Sequence, residues 1–499
     1  MEAVIVASGL CVAYAVYYVY SDALAEVPGP RFAKICPSWL IRVLWSNKLN
    51  QGIREQHQKH GDVVRLGPSE LSFCSLSAHD TIYNTNSTSF ITYGSFQSAV
   101  EGLCPPGVTF VSHHSPAEQK ELRRVFQPAI RLAVAGGMEA HHKRRFSELV
   151  AGLNIKPGVP ICVNLTGLLE RLEWDLIGDL GLGYSVPDRL KDASWIDNWN
   201  SQKTHQNLIG VAFALGSFLL SRRGLKMLVD SFGPFWIPKY LDPAHLIDVA
   251  LKQRAEGKST FVSQAIPYKN EKYPHLTKQM SSNVTGLIYA AFETSESSTR
   301  AILCALMRDP VRYRNLQQEI RSKFSASKPI TDSQLVGLPY LTACINEGLR
   351  LWPGLNGQFT SRVSTGAVVD GVYVPPGCLV SADLYTLQRH PRYWHDPDTF
   401  KPERWLDPKN PDEMRAFRPF SAGPRSCPGR QIALQKLRLT LAKFMFLFDM
   451  QFVNPQFEWD RDVPSGLLWS SVEVMVRMTL LEPPVEPAEA VETAEAVEA

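Results

Sequence analysis

Phe420-Ser421-Ala422-Gly423-Pro424-Arg425-Ser426-Cys427-Pro428-Gly429 is the stretch that decides how the rest of the chain is read. One cysteine sits between two glycines, with an arginine two residues before it and a phenylalanine seven before it. From Gln431 to Phe448 apolar residues recur at helical spacing. Proline is favoured at the first helical position, so the pattern puts Pro428 there and Cys427 at the helix N-cap. Unpaired N–H groups and the positive end of the helix dipole at that place favour a thiolate over a thiol. Such a thiolate is a soft, electron-rich metal ligand, and the flanking glycines let backbone approach something large and flat. Three other uses of a cysteine compete. It could be a small buried hydrophobe. Structural zinc would need further Cys or His at short spacing, and the nearest cysteine is Cys378. A nucleophile would need a histidine partner, which sequence leaves open.

Two further patterns precede the loop. Glu347 and Arg350, three apart near the end of the helical stretch Gly337 to Leu351, share one helix face and can pair. Phe400-Lys401-Pro402-Glu403-Arg404-Trp405 lies in a Pro-rich segment with little periodicity. With the five fixed positions of Phe-x-x-Gly-x-Arg-x-Cys-x-Gly, these patterns stand in an order that resembles the cytochrome P-450 family, and the stretches Trp174 to Tyr184 and Pro68 to Phe73 look like its fungal microsomal members. The resemblance runs from Pro28 to about Leu481. It implies a mainly α fold: one large haem-thiolate monooxygenase domain with a smaller β-rich lobe. It makes Cys427 the axial ligand of a haem b iron, with Phe420 and Gly429 among the motif positions that border the haem. It also implies that Glu347, Arg350 and Arg404 form a buried charge triad beneath it. One carboxylate between two guanidiniums satisfies groups that would be costly to bury singly.

Composition agrees. No Gly/Ser-rich linker or internal repeat divides the 499 residues, so one catalytic domain is expected over 27–481. Nine cysteines without C-x-x-C spacing suit reduced thiols rather than a disulfide framework, and the absence of C-x-x-C-H means non-covalent haem. Net charge is +3, and no nucleic-acid partner is implied. Residues 482–499 carry six Glu and no Lys or Arg, a low-complexity segment that reads as a disordered acidic tail.

Ala3 to Tyr20 contains no charged residue. Eighteen helical residues span about 27 Å, near the thickness of a bilayer's hydrocarbon core. A cleaved signal peptide would need a basic n-region, and Glu2 stands there instead. Arg31 and Lys34 follow the segment while no basic residue precedes it, which places the body on the cytosolic side. We therefore expect residues 1–26 to be a single-pass anchor in the endoplasmic reticulum membrane, touching lipid. Pro28-Gly29-Pro30 would act as a stiff hinge. The sequons at Asn86, Asn164 and Asn283 would then face the cytosol and stay unglycosylated.

Helices are expected over Asn47–His60, Pro116–Leu132, Met138–Gly152, Asn164–Leu182 and Thr277–Met307, with a pair in Asn200–Asp230. A hairpin is expected around Gly67-Pro68, a long functional loop over Ser87–Ser115, and strands over Val368–Val380 with turns at Asp370-Gly371 and Pro376-Gly377. In mid-helix, Ala290-Ala291-Phe292-Glu293-Thr294-Ser295 places an acid and a hydroxyl in a run too apolar for an exposed face. The resemblance makes Glu293 and Thr294 the pair that relays protons to reduced oxygen, Glu293 exchanging them with solvent. Ala291 departs from the glycine usual there, which narrows the groove beside that pair. The resemblance further implies that Arg123, Arg362 and Arg425 meet the haem carboxylates. Gln119 replaces the usual Trp or His four residues before Arg123, and can still donate a hydrogen bond.

Gly181-Leu182-Gly183 lacks the third glycine of a dinucleotide motif, and no flavin motif is present. Electrons should therefore come from NADPH through a separate flavoprotein, an NADPH–cytochrome P-450 reductase. Arg430, Lys436, Arg438 and Lys443, with Lys120 and Arg124, are candidates for its docking face. Cavity contacts are expected from Ser95–His114, Leu208–Leu220, Phe292, Gly354–Thr360 and Ser465–Trp469. The expected activity is insertion of one oxygen atom from O2 into a hydrophobic secondary-metabolite intermediate, a terpenoid, polyketide or alkaloid. A thiolate-haem isomerase or dehydratase, and a non-catalytic haem-binding protein, are the alternatives. The intact Glu293-Thr294 pair speaks against the first, and reductase-dependent oxygen consumption separates out the second.

Overall fold

The apolar-flanked helix expected around residue 290 forms as α8 (Met280–Arg308), and the other long helices pack round it. This computed structural model describes residues 22–83, 89–91, 116–132, 137–183, 243–258, 260–265, 280–325, 329–355, 360–466 and 468–482. The expected anchor helix Ala3–Tyr20, most of the Ser87–Ser115 loop, the Asn200–Asp230 pair, Asn86 and nearly all of the acidic tail lie outside them. Among the described residues no helix is long and apolar enough to cross a membrane.

In chain order the helices used below are α1 (Ser38–Trp45), α2 (Leu49–His60), α3 (Leu76–Tyr83), α4 (Pro116–Leu132), α5 (Met138–Gly152), α6 (Leu165–Ile177), α7 (Pro243–Ala255), α8, α9 (Pro310–Lys323), α10 (Pro339–Leu351) and α11 (Arg430–Leu447). Their starts follow local chemistry. Asp309 Oδ1 accepts from the N–H groups of Val311 and Arg312, both at 3.1 Å, and Pro310 fills the first turn where an N–H would be orphaned. α10 opens with Pro339 in the same way. The main core is the seam where α6, α8, α10 and α11 meet, lined by Leu172, Ile302, Leu306, Ile345, Leu441 and Phe444. Each such side chain contributes about 1.5–3 kcal/mol by leaving water. Gly348 sits where α10 crosses α8: a Cβ there would lie 2.2 Å from Ile302 Cγ1.

The β-rich lobe is a five-stranded sheet in the order β1 (Val63–Gly67), β2 (Glu70–Phe73), β8 (Leu379–Ala382), β5 (Arg362–Ser364), β3 (Phe90–Ile91). Only β2 and β8 pair in parallel. The expected strand region after residue 366 is three strands. β6 (Ala367–Val369) and β7 (Val372–Val374) close through Asp370 and Gly371, both left-handed at φ 47° and 77°, as a two-residue hairpin requires. A separate antiparallel sheet orders β4 (Ile161–Asn164), β10 (Met475–Leu480) and β9 (Phe448–Phe452).

Two expectations change. Asn164–Leu182 is not one helix. Its first residue ends β4 and caps α6, accepting from Gly167 N–H at 3.3 Å, and its last five form a π turn that Gly183 stops at φ 72°. Pro28-Gly29-Pro30 is not a free hinge either. Pro28 O accepts from Arg65 N–H at 2.8 Å, a Cβ on Gly29 would lie 2.1 Å from Arg65 O, and Leu24 and Val27 enter the sheet core. Asn283 is fully buried, so it cannot accept a glycan in the folded protein, while Asn164 is half-buried and caps its helix. Replacing Gly348 with Ala should cost about 1–3 kcal/mol by overpacking. Thermal unfolding of the variant would show it, and the same substitution should cost less when made in an Ile302→Ala background.

Candidate functional site

The cysteine loop is built from turns. Ser421 and Gly423 adopt left-handed φ of 57° and 69°, and Gly423–Arg425 make one 3-10 turn. The chain thereby folds back so that Cys427 N–H donates to Phe420 O at 2.9 Å. α11 begins later than the sequence implied: Gly429, not Cys427, is its N-cap, because Pro428 and Gly429 continue the turn before helical geometry starts at Arg430. The local N–H groups alone do not carry the expected thiolate preference. Burial pushes the Cys427 thiol up, and outweighs the opposing N–H groups of Gly429 and Arg430 and the Arg123 guanidinium. Its side chain nevertheless keeps open surface although protein closes round it, which describes the floor of a recess. Metal coordination would reverse the protonation balance outright. Phe420 packs against the main core, with the Arg430 guanidinium 5.8 Å from its ring centre.

Three guanidiniums reach this recess. Arg123, from α4, donates to Ser426 O and senses the Cys427 sulfur electrostatically. Burial, then the nearby Arg362 and Arg123 charges, push Arg425 down to about 9. Arg362 is buried at the start of β5, donates to Ser361 O at 3.2 Å and stands 5.0 Å from the Tyr83 ring centre. Among the described residues Arg123 Nε and Gln119 Oε1 are buried without a hydrogen-bond partner. Burial and two neighbouring cations make Arg425 costly to keep ionised, and an anion beside it would relieve that cost. A flat group carrying two carboxylates fits that need and fits a ligand sulfur at the floor.

On α8 the flanks are buried, yet Ala290 is exposed and Ala291 and Thr294 are partly so, which opens one short face in mid-helix. The Thr294 hydroxyl donates to Ala290 O at 2.9 Å. Gly354, in an expected cavity stretch, lies directly against it: a Cβ there would come 3.0 Å from Thr294 Cβ. Glu293 is buried rather than in contact with bulk water. Phe292 does not line a cavity, because its ring stacks on Trp174 with centroids 4.2 Å apart and is fully enclosed. Ser465 and Trp469 are also core residues. Ser465 O accepts from Leu49 N–H at 2.8 Å, and Trp469 Nε1 donates to Pro353 O at 2.9 Å.

The triad assembles with more partners than expected. Glu347 accepts from Arg350 Nε and Nη2, both at 2.8 Å, from Arg404 Nε at 3.1 Å, from Lys401 N–H at 2.9 Å and from Trp405 Nε1 at 3.0 Å. Arg404 also pairs with Asp412, so a second carboxylate shares the load. Asp412 and Trp405 were missed; both lie within eight residues of Arg404, and only their proximity in a Pro-rich segment could have flagged them.

The expected docking cations separate. Lys436 is buried against Glu173, and Arg438 pairs with Asp332 at 2.7 Å. Lys443 lies 2.9 Å from His142 Nδ1, and burial pushes it down to about 8. Lys120, Arg124 and Arg430 stay at the surface.

Removing the Glu347 carboxylate (Glu347→Ala) should cost about 3–5 kcal/mol by leaving buried cations uncompensated. The yield and thermal midpoint of folded protein would measure it, with Trp405→Phe, which removes one donor, costing about 1 kcal/mol.

Comparison with known proteins follows this geometry. The family model described as Cytochrome P450 matches residues 28–478. A protein named sesterfisheric acid synthase from Neosartorya fischeri is 32% identical, covering 94% of this chain and 94% of its own. Cytochrome P450 monooxygenase aunB from Aspergillus niger is 32% identical over 94% of this chain and 98% of its own. Cytochrome P450 monooxygenase bfoB from Aspergillus brasiliensis is 31% identical over 95% and 97%.

Proposed function

The chain belongs to the cytochrome P450 family, an oxidoreductase family of haem monooxygenases fed by a redox partner, and from that premise we propose how its own residues divide the work. When bound, haem supplies the iron centre at which O2 is reduced and one oxygen atom passes to substrate. The observation that carries the assignment is a thiol at the floor of a recess shared by three guanidiniums. Cys427 would hold the haem iron through its sulfur. Arg123, Arg362 and Arg425 would hold the haem carboxylates, with Gln119 offering its amide beside Arg123. Phe420 and Gly429 would shape the loop that presents the sulfur, and Glu347, Arg350 and Arg404 would brace the segment leading into it.

Thr294 would act as the proton donor at the open face of α8. Its one proton is held on Ala290 O, so it would turn away from that carbonyl to pass the proton on, its oxygen accepting a replacement from a water on the same face. Glu293 would feed this relay from inside the protein, since its burial separates it from bulk solvent.

We place the electron supply in an NADPH-dependent flavoprotein reductase and the body on the cytosolic side of the endoplasmic reticulum membrane, held by the apolar segment Ala3–Tyr20. The substrate class is a hydrophobic secondary-metabolite intermediate of terpenoid, polyketide or alkaloid type. The fungal relatives support that reading.

A reduced-CO difference spectrum should show the red-shifted thiolate band, and Cys427→His should abolish it while leaving folded protein. Thr294→Ala should keep the band but divert most NADPH electrons to hydrogen peroxide, read as peroxide formed per NADPH consumed. Membranes bearing the protein and its reductase, fed a panel of candidate metabolites, would identify the substrate by NADPH-dependent product formation.

A further inference from the structure

Five carbonyls in one stretch of α8 carry a side-chain donor. Thr294 Oγ1 donates to Ala290 O at 2.9 Å, Ser297 Oγ to Glu293 O at 2.9 Å, Ser298 Oγ to Thr294 O at 2.8 Å and Thr299 Oγ1 to Ser295 O at 2.9 Å. These four are hydroxyls one turn on in the same helix, an arrangement that loosens and bends helices. The fifth donor is different. Lys436 Nζ, from α11, donates to Ala291 O at 3.1 Å, and it is the one charged donor of the five.

Lys436 is 1% exposed and lies nine residues after Cys427. Its counter-ion is Glu173 of α6, itself 2% exposed. The residue after Glu173 is Trp174, whose ring stacks on Phe292, the residue after Ala291. Two neighbours on α6 therefore hold two neighbours on α8, one by ring stacking and one through a carboxylate–ammonium–carbonyl chain. Gluing α6 to α11 would not need the third member. A buried ion pair is weak evidence of stability, and an apolar pair of the same size serves as well. What the pair alone does not account for is an ammonium directed at the backbone of the turn that carries Glu293 and Thr294. A charge-assisted bond is about twice as strong as a neutral one, so it competes effectively with the Ser295 N–H for the Ala291 carbonyl.

We propose that Lys436 is a positioning residue for the Glu293–Thr294 turn: its ammonium, oriented by Glu173, holds the Ala291 carbonyl and so fixes where Thr294 presents its hydroxyl. This deepens the reading of Thr294 as proton donor and rests on it. The role is local to the oxygen side of α8, although its source is the helix that follows the cysteine loop.

The charge-swapped variant Glu173→Lys with Lys436→Glu keeps an ion pair between α6 and α11 but leaves no donor at position 436. In the haem-loaded protein it should retain the reduced-CO thiolate band. It should also release several-fold more hydrogen peroxide per NADPH and exchange the amide hydrogens of residues 290–298 faster by mass spectrometry. Lys436→Arg, which still donates, should stay near wild type on both readouts. If the swap does not fold, Glu173→Met with Lys436→Met removes both charges together and is read the same way. Wild-type exchange and peroxide release in whichever double variant folds, with Thr294→Ala raising peroxide in parallel, would overturn the positioning role alone. Unchanged peroxide in Thr294→Ala would overturn the proton-donor reading and the positioning role with it.

Discussion

The fully buried carboxylate of Glu347 is the constraint on which the rest depends. It gathers two guanidiniums, a backbone N–H and an indole N–H, and those donors come from an α-helix and from the irregular segment before the cysteine loop. That segment has no strand or α-helix to place it, only short 3-10 turns at Pro402–Trp405 and Met414–Ala416. Its position is set by where a carboxylate can be satisfied in the interior, and the donors are charged enough to make the answer unique. Because α10 also crosses α8 at Gly348 with no room for a side chain, the same element fixes the central helix from one side and the ligand loop from the other.

The recess above Cys427 uses the opposite electrostatic arrangement. Around Glu347, cations and carboxylates are matched; in the recess, burial and the Arg362 and Arg123 charges make Arg425 costlier to keep ionised, and burial pushes the Cys427 thiol up. Such a region costs stability until a group of complementary charge enters. Binding of the prosthetic group is thus coupled to folding free energy in the way a ligand that favours only the folded chain must be.

How much was legible in the sequence depended on how local the signal was. The helices of Pro116–Leu132 and Met138–Gly152 and the turn at Asp370-Gly371 follow from periodicity and turn chemistry, which are properties of neighbouring residues. The pairing of Glu347 with Arg350 was equally readable, being three residues apart on one helix. Errors arose where distant chain decided the outcome. Asn164 joins a strand because β10, over three hundred residues on, offers it a partner. Phe292 is core rather than cavity because Trp174 covers it. Lys436 and Lys443 look like surface cations in sequence, and only Glu173 and His142 from other helices show that they are interior. The start of α11 slipped because a proline in a turn and a proline in a first helical turn look alike in sequence.

One feature of the β-rich lobe bears on how the protein can be handled. Arg65 is fully buried, and its guanidinium is satisfied by the Asp22 carboxylate together with the carbonyls of Leu24, Gly67 and Pro68. Residues 22–29 are therefore an integral edge of the sheet rather than a tether. Truncation from the N-terminus has to stop before Asp22. A cut a few residues later removes the counter-ion of a buried arginine and side chains that pack with Leu71 and Phe73, and so leaves a misfolded lobe.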